Sequence, residues 1–201
     1  MKEYPNVSAI ILAGGKSSRF GSDKAMFVWR GLTLSQRIVE ECRLYFNEII
    51  TVRGQEQRSL EIEGVKEVRD VYPNSGPLGG IHAGLIYASS DLAFVTACDM
   101  PAFSVVLAKR LLELADGLGG CDVVAPHDGE RLQPLCAVYR KSVLPALEEM
   151  LALGEHSVKR LCERVNTIIA DYQELAVALG GVFVRDVFRN VNYARDISEH
   201  F

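Results

Sequence analysis

The sequence predicts an α/β fold: three layers, with a Rossmann-like, mostly parallel sheet and helices on both faces. Three observations predict it. Short β-branched apolar runs alternate along the chain with helical patterns, the order that crossovers between parallel strands produce. The runs are apolar at nearly every position, as strands buried on both sides are. The 201 residues are 48 % apolar and 24 % charged, an ordinary composition for one large domain with ample core.

In chain order the strand runs are VSAIIL (7–12), EIITV (48–52), VKEVRD (65–70), LAFVTA (92–97), DVVAP (122–126), LCAVY (135–139) and NTIIA (166–170). In LSQRIVEECRLYF, Leu34, Ile38, Cys42 and Tyr45 share one helical face. VVLAKRLLELAD (105–116) and SVLPALEEMLAL (142–153) carry similar stripes, with Ser104 and Ser142 where N-caps are expected. GPLGGIHAGL reads as a turn opening a helix, where Gly76, Gly79 and Gly80 leave room for a ligand and Pro77 suits the first turn. LAVALGGVFVRDV fits helix or strand, so 160–185 stays open between the two. With no repeat, low-complexity stretch or linker, residues 1–201 are expected to form a single domain.

The formal net charge of -4 argues against a nucleic-acid partner, which needs a basic surface. Five widely spaced cysteines without a C-x-x-C pair predict buried free thiols in a reducing compartment, not a disulfide framework or a zinc site. MKEYPN is too polar to begin a signal peptide, and no apolar run of about 18 residues exists. The expectation is a cytoplasmic protein with no membrane segment.

In such sheets, ligands bind beyond the carboxyl ends of the strands. The candidate positions are therefore 12–25, Arg53, Asp70, 98–101 and 126–134. The first, LAGGKSSRFGSDKA, is neither a P-loop nor a dinucleotide fingerprint. Gly14 and Gly15 can bring backbone N–H groups close to a phosphate, Gly21 allows another bend, and Arg19 and Lys24 supply positive charge. Asp99, just past a central strand, is a helix cap, a turn former, or a hard oxygen ligand for Mg²⁺. Asp70 is a turn residue or a hydrogen-bonding partner of a nucleotide. His82 is expected to serve packing, and His127, His156 and His200 form no ligand spacing.

The opening stretch is similar to the L-A-G-G-x-S-x-R-F/M-G-x-D-K signature of small nucleotidyltransferases of the nucleotide-diphospho-sugar transferase fold. Further blocks follow in the same order over nearly the full length: VRD (68–70), GPLGGI (76–81), CDMPAF (98–103), ERLQPLCAVY (130–139) and NVN (190–192). Together they resemble the molybdenum cofactor guanylyltransferases. The resemblance implies transfer of GMP from GTP to the phosphate of molybdopterin-type cofactor, with Mg²⁺ as cofactor and pyrophosphate as the second product. It implies catalytic roles for Lys24, Arg19 and Asp99, with the metal on Asp99. It places the nucleotide at Leu12, Ala13, Gly14, Gly15, Lys24, Asp70, Gly79 and Asp99, and the acceptor at Gln133, Pro134, Asn190 and Asn192. Cofactor-insertion proteins or molybdoenzyme chaperones are the expected protein partners.

Two departures stand out. Relatives often follow NVN with Thr-Pro-Glu-Asp, where this chain has YARD (193–196), and often carry Asn near Arg53. Arg53 either meets a phosphate or points to water. A cytidylyl or sugar-phosphate relative, or a non-catalytic nucleotide binder, stays open. Against the cytidylyl reading, those relatives usually have L-A-A-G, and glycine at position 14 leaves backbone room for a purine.

Overall fold

The computed structural model describes residues 3–15, 23–100, 102, 104–117, 119–180, 184–191, 193 and 196. The order is β1 (Tyr4–Leu12), a 3₁₀ turn (Lys24–Met26), β2 (Val28–Trp29), β3 (Leu32–Thr33), α1 (Leu34–Arg43), β4 (Phe46–Arg53), β5 (Lys66–Arg69) and α2 (Gly76–Tyr87). There follow β6 (Leu92–Ala97), α3 (Val105–Gly117), β7 (Val123–Pro126), β8 (Cys136–Arg140), a 3₁₀ turn (Lys141–Val143), α4 (Leu144–Ala152), α5 (Val158–Arg164), β9 (Thr167–Ala170), α6 (Tyr172–Ala178) and α7 (Val184–Val187).

Among the described residues seven strands form one sheet in the order β5-β4-β1-β6-β8-β7-β9. Only β8 runs antiparallel to its neighbours. All six residues of β6 are buried, so both faces of the sheet are covered there. On one face α2 meets β1 closely: a Cβ on Gly84 would stand 2.9 Å from Ile10 Cδ1 and nearer still to Cγ2. Helix α1 packs on β1 and β4, with Ile38, Val39 and Cys42 in the main core, and α4 packs beside α2. No helix among the described residues is long and apolar enough to cross a membrane.

The seven strand runs and the helices around 34, 105 and 144 match the sequence reading. Three details differ. Helix α4 starts at Leu144, and Ser142 does not cap it: its hydroxyl donates to Asp122 Oδ1 at 2.5 Å, within the 3₁₀ turn. The open stretch 160–185 is neither all helix nor all strand: it holds most of α5, then β9, α6 and the start of α7. Helix α5 begins at Val158, before the stretch left open, and Ser157 caps it, accepting from Arg160 N at 3.3 Å. All five cysteines are free and buried.

Candidate active site

β5, β4, β1 and β6 are neighbours and parallel, and their ends are level. Leu12 pairs with both Val52 and Ala97, and Arg53 pairs with Arg69. Ala13, Gly54, Asp70 and Cys98 therefore leave the sheet along one edge. Ala13 N–H still donates to Val52 O (2.9 Å), and Cys98 N–H to Leu12 O (3.0 Å), so backbone bonds fix the exits of β1 and β6.

Past Ala13 the chain turns at Gly15, whose φ of 129° favours glycine; a Cβ there would meet nothing within 4 Å. Gly14 is different. A Cβ on it would lie 3.2 Å from Gly54 N and 3.5 Å from the Arg53 carbonyl carbon. The space beside Gly14 is thus filled by the β4 exit, and the room-for-a-purine argument does not apply to this position. Gly14 is small so that two backbone segments can touch.

Asp23 caps the 3₁₀ turn that carries Lys24, accepting from Ala25 N at 3.2 Å. Lys24 Nζ lies 3.2 Å from Asp99 Oδ2, with the two side chains 15 % and 26 % exposed. Asp99 follows β6, and its carbonyl accepts from Val191 N at 2.8 Å. That bond brings the NVN segment to the site: Val191 is buried with Leu34 against Phe27 and Trp29, while Asn190 is exposed. In the YARD segment Tyr193 N donates to Asp196 Oδ2 at 2.8 Å. Arg19 and Asn192 lie outside the described residues.

Asp70 follows β5 and accepts from Tyr72 N at 2.9 Å. Burial raises its carboxyl above the usual range, opposed by the Tyr72 bond and by His82. Gly79 admits it to the first turn of α2, since a Cβ there would stand 2.7 Å from Asp70 Oδ1. Gln133 and Pro134 precede β8 on the same edge of the sheet. Gln133 Nε2 donates to Asp128 Oδ2, and Pro134 O accepts from Tyr139 hydroxyl at 2.7 Å. Asp128 also accepts the backbone N–H groups of Glu130 and Arg131 at 2.8 and 2.9 Å. Gln133 is therefore a brace of this rim.

Arg53 resolves differently from both sequence readings. It is wholly buried, meeting neither open solvent nor an open cleft. Its guanidinium forks onto the Asp23 carboxylate and donates to the carbonyls of Ala13 and Arg58. Sequence reasoning also missed Gln57, which donates to Gly15 O at 3.1 Å and accepts from Gly54 N at 2.8 Å. No motif marked Gln57. Asp23 stood in the quoted signature without a role.

The site offers no activated nucleophile among the described residues. Burial, then Asp99, pushes the Cys98 thiol up to about 12. His82 lies under Tyr72, with its ring nitrogen Nε2 3.2 Å from Glu148 Oε1. Among the described residues no three His, Cys, Asp or Glu side chains gather as a metal cluster. What the edge does present is a cation beside a partly exposed carboxylate, next to a glycine turn and a helix start. That set suits a polyphosphate and a hard cation that takes one carboxylate and fills its other positions with phosphate and water oxygens.

A mostly parallel sheet carrying this constellation at its strand ends marks the class: an α/β protein built to hold a nucleotide or another polyphosphate. The chain belongs to the MobA-like NTP transferase domain family, which it matches over residues 9–169. It is 38 % identical over 190 residues to a probable molybdenum cofactor guanylyltransferase of Pelotomaculum thermopropionicum, covering 94 % of this chain and 89 % of that one. A probable molybdenum cofactor guanylyltransferase of Clostridium perfringens strain SM101 is 36 % identical over 156 residues, 77 % of this chain and 76 % of that one. The crystal structure of molybdopterin-guanine dinucleotide biosynthesis protein A from Archaeoglobus fulgidus superposes with a TM-score of 0.82. It is 22 % identical, covers 96 % of each chain, and shares the fold.

Proposed function

We propose that this protein, as one nucleotidyltransferase domain, transfers GMP from GTP to the phosphate of a molybdopterin-type cofactor, releasing pyrophosphate. The observation that carries the reading is the Lys24–Asp99 pair at the shared ends of β1 and β6. It stands in a chain 38 % identical to a relative named for that activity.

The acceptor phosphate is already an anion near neutral pH, so its oxygen attacks the α-phosphorus without a general base. The bond from the α-phosphorus to the bridging oxygen breaks, and that oxygen leaves with pyrophosphate. The difficulty is bringing two anions together. Lys24 offsets that repulsion and the charge growing on the leaving group, and Arg19, from the same signature, would add a second cation. Asp99 would hold Mg²⁺, which supplies further neutralisation of phosphate charge when bound. Asp70 and the start of α2 would receive the nucleoside, and Gln133, Pro134, Asn190 and Asn192 would face the acceptor. The reading includes a reducing cytoplasm, in agreement with five free buried thiols, and cofactor-insertion or molybdoenzyme chaperone proteins as partners.

The test is mass spectrometry of products from GTP, Mg²⁺ and purified molybdopterin acceptor. The expected result is the guanine dinucleotide form with pyrophosphate. A product made from CTP in preference to GTP would replace this reading with the cytidylyl one.

A further inference from the structure

We infer that Arg53 is the positioning residue of the nucleotide site: a single buried guanidinium pins Ala13 and Asp23, on either side of the glycine loop, and so sets Lys24 against Asp99. The inference rests on the function proposed above for Lys24 and Asp99.

Arginine has five N–H donors. In Arg53 all five have acceptors. Nε and one Nη2 hydrogen go to Arg58 O (3.2 and 2.7 Å), one Nη1 hydrogen goes to Ala13 O, and the remaining two fork onto the Asp23 carboxylate. No donor is left for a phosphate, so Arg53 does not act by touching substrate. A wholly buried charge is retained where it is paired and fully hydrogen-bonded, and removing its partner leaves it uncompensated. Asp23 is that partner, and the same carboxylate orients the turn carrying Lys24 through its bond from Ala25 N.

The surrounding contacts serve the same end. Gln57 ties Gly15 O to Gly54 N, and Arg69 Nη1 donates to the carbonyls of Gly54 (2.9 Å) and Gln57 (2.6 Å). The β4 exit is therefore stiff where Arg53 leaves it. Displacing a catalytic group by about 1 Å lowers turnover by about 10²-fold, which is the scale available to a residue acting only through Lys24.

The test is a double-mutant cycle on turnover, together with hydrogen exchange of the free protein. Arg53→Met is expected to lower kcat by about 10- to 100-fold in the wild-type background, and by less than about threefold in the Lys24→Ala background. Arg53→Lys should recover only part of the loss, because an ammonium cannot fork onto Asp23 and also hold Ala13 and Arg58. Amide exchange at residues 13–15 and 23–26 should quicken in Arg53→Met while that of β6 and β8 stays unchanged. If Arg53→Met does not fold, Asp23→Asn takes its place in both arms, with the same expectations. Losses that multiply with Lys24→Ala, or exchange at 13–15 and 23–26 that matches the wild type, overturn the inference. The exchange arm uses no substrate. A wild type that transfers no nucleotide therefore sinks the proposed function, while exchange still decides whether Arg53 holds the segment.

Discussion

Lys24 Nζ lies 3.2 Å from Asp99 Oδ2, and that single contact joins the turn after the glycine loop to the exit of the central strand β6. The two residues are 75 apart in sequence. Their pairing sets a cation and a carboxylate side by side at the edge where a polyphosphate would lie.

If Asp99 holds the hard cation, Asp99→Asn should keep the fold and remove most turnover, by at least about 10²-fold, because a neutral amide is a poor ligand for Mg²⁺. The measurement is kcat across an Mg²⁺ titration, with a thermal melt as control. Wild-type-like rates at saturating Mg²⁺ would remove Asp99 from the metal site.

Lys24→Ala should lower kcat by about 10²- to 10³-fold, roughly 3–4 kcal/mol, the scale for losing one group that meets charge developing in the transition state. A change confined to KM for GTP would make Lys24 a ground-state binder instead.

Gly14→Ala should lower kcat/KM by about tenfold with GTP and CTP alike, because its Cβ would press on Gly54 N at 3.2 Å and shift the loop. Competition between equal GTP and CTP reads the ratio, which should favour GTP and stay unchanged by the substitution. A narrowed ratio would restore a direct role for Gly14 in base choice.

Burial raises the Asp70 carboxyl above the usual aspartate range, against the pull of Tyr72 N–H and His82. A carboxyl raised on folding contributes stability while protonated and loses it as pH rises through its folded value. The wild type should therefore hold its largest advantage over Asp70→Asn below about pH 4, and lose it toward neutral pH. Melting temperatures of both proteins from about pH 3 to about pH 7 check this, and a difference that is constant or grows with pH contradicts it.

Gly84→Ala should destabilise the protein by about 1–3 kcal/mol, because its methyl would overlap Ile10 in the core. Ile10→Ala, costly alone, should cost less when combined with it, since each change vacates or fills the same space. Additive losses in chemical denaturation would show that the two residues do not share it.

Much of the fold was legible because both signals are local. VSAIIL and LAFVTA are apolar at nearly every position because β1 and β6 are buried on both faces. Leu34, Ile38 and Cys42 are spaced for one helical face, and α1 buries all three. Ser142 failed as a cap because Asp122, 20 residues away, takes its hydroxyl, and nothing nearby in the chain announces that competition.

The sequence by itself determined the α/β alternation, the strand ends that could carry a site, and the ordered blocks that resemble a nucleotidyltransferase family. Those follow from periodicity and from residue order, which a linear chain displays. Only the tertiary structure decided which partners the polar groups take. It turned Arg53 from a phosphate ligand or a solvated cation into a buried strut on Asp23, and Gln133 into the partner of Asp128. It also turned Gly14 from space for a base into a contact with the β4 exit. For Gly14 the physical reason is the close approach of two backbone segments, and for Arg53 and Gln133 it is the pairing of polar groups. A buried charge or amide must be satisfied by whatever donors and acceptors the folded chain brings within about 3 Å, and those come from residues the sequence keeps far apart.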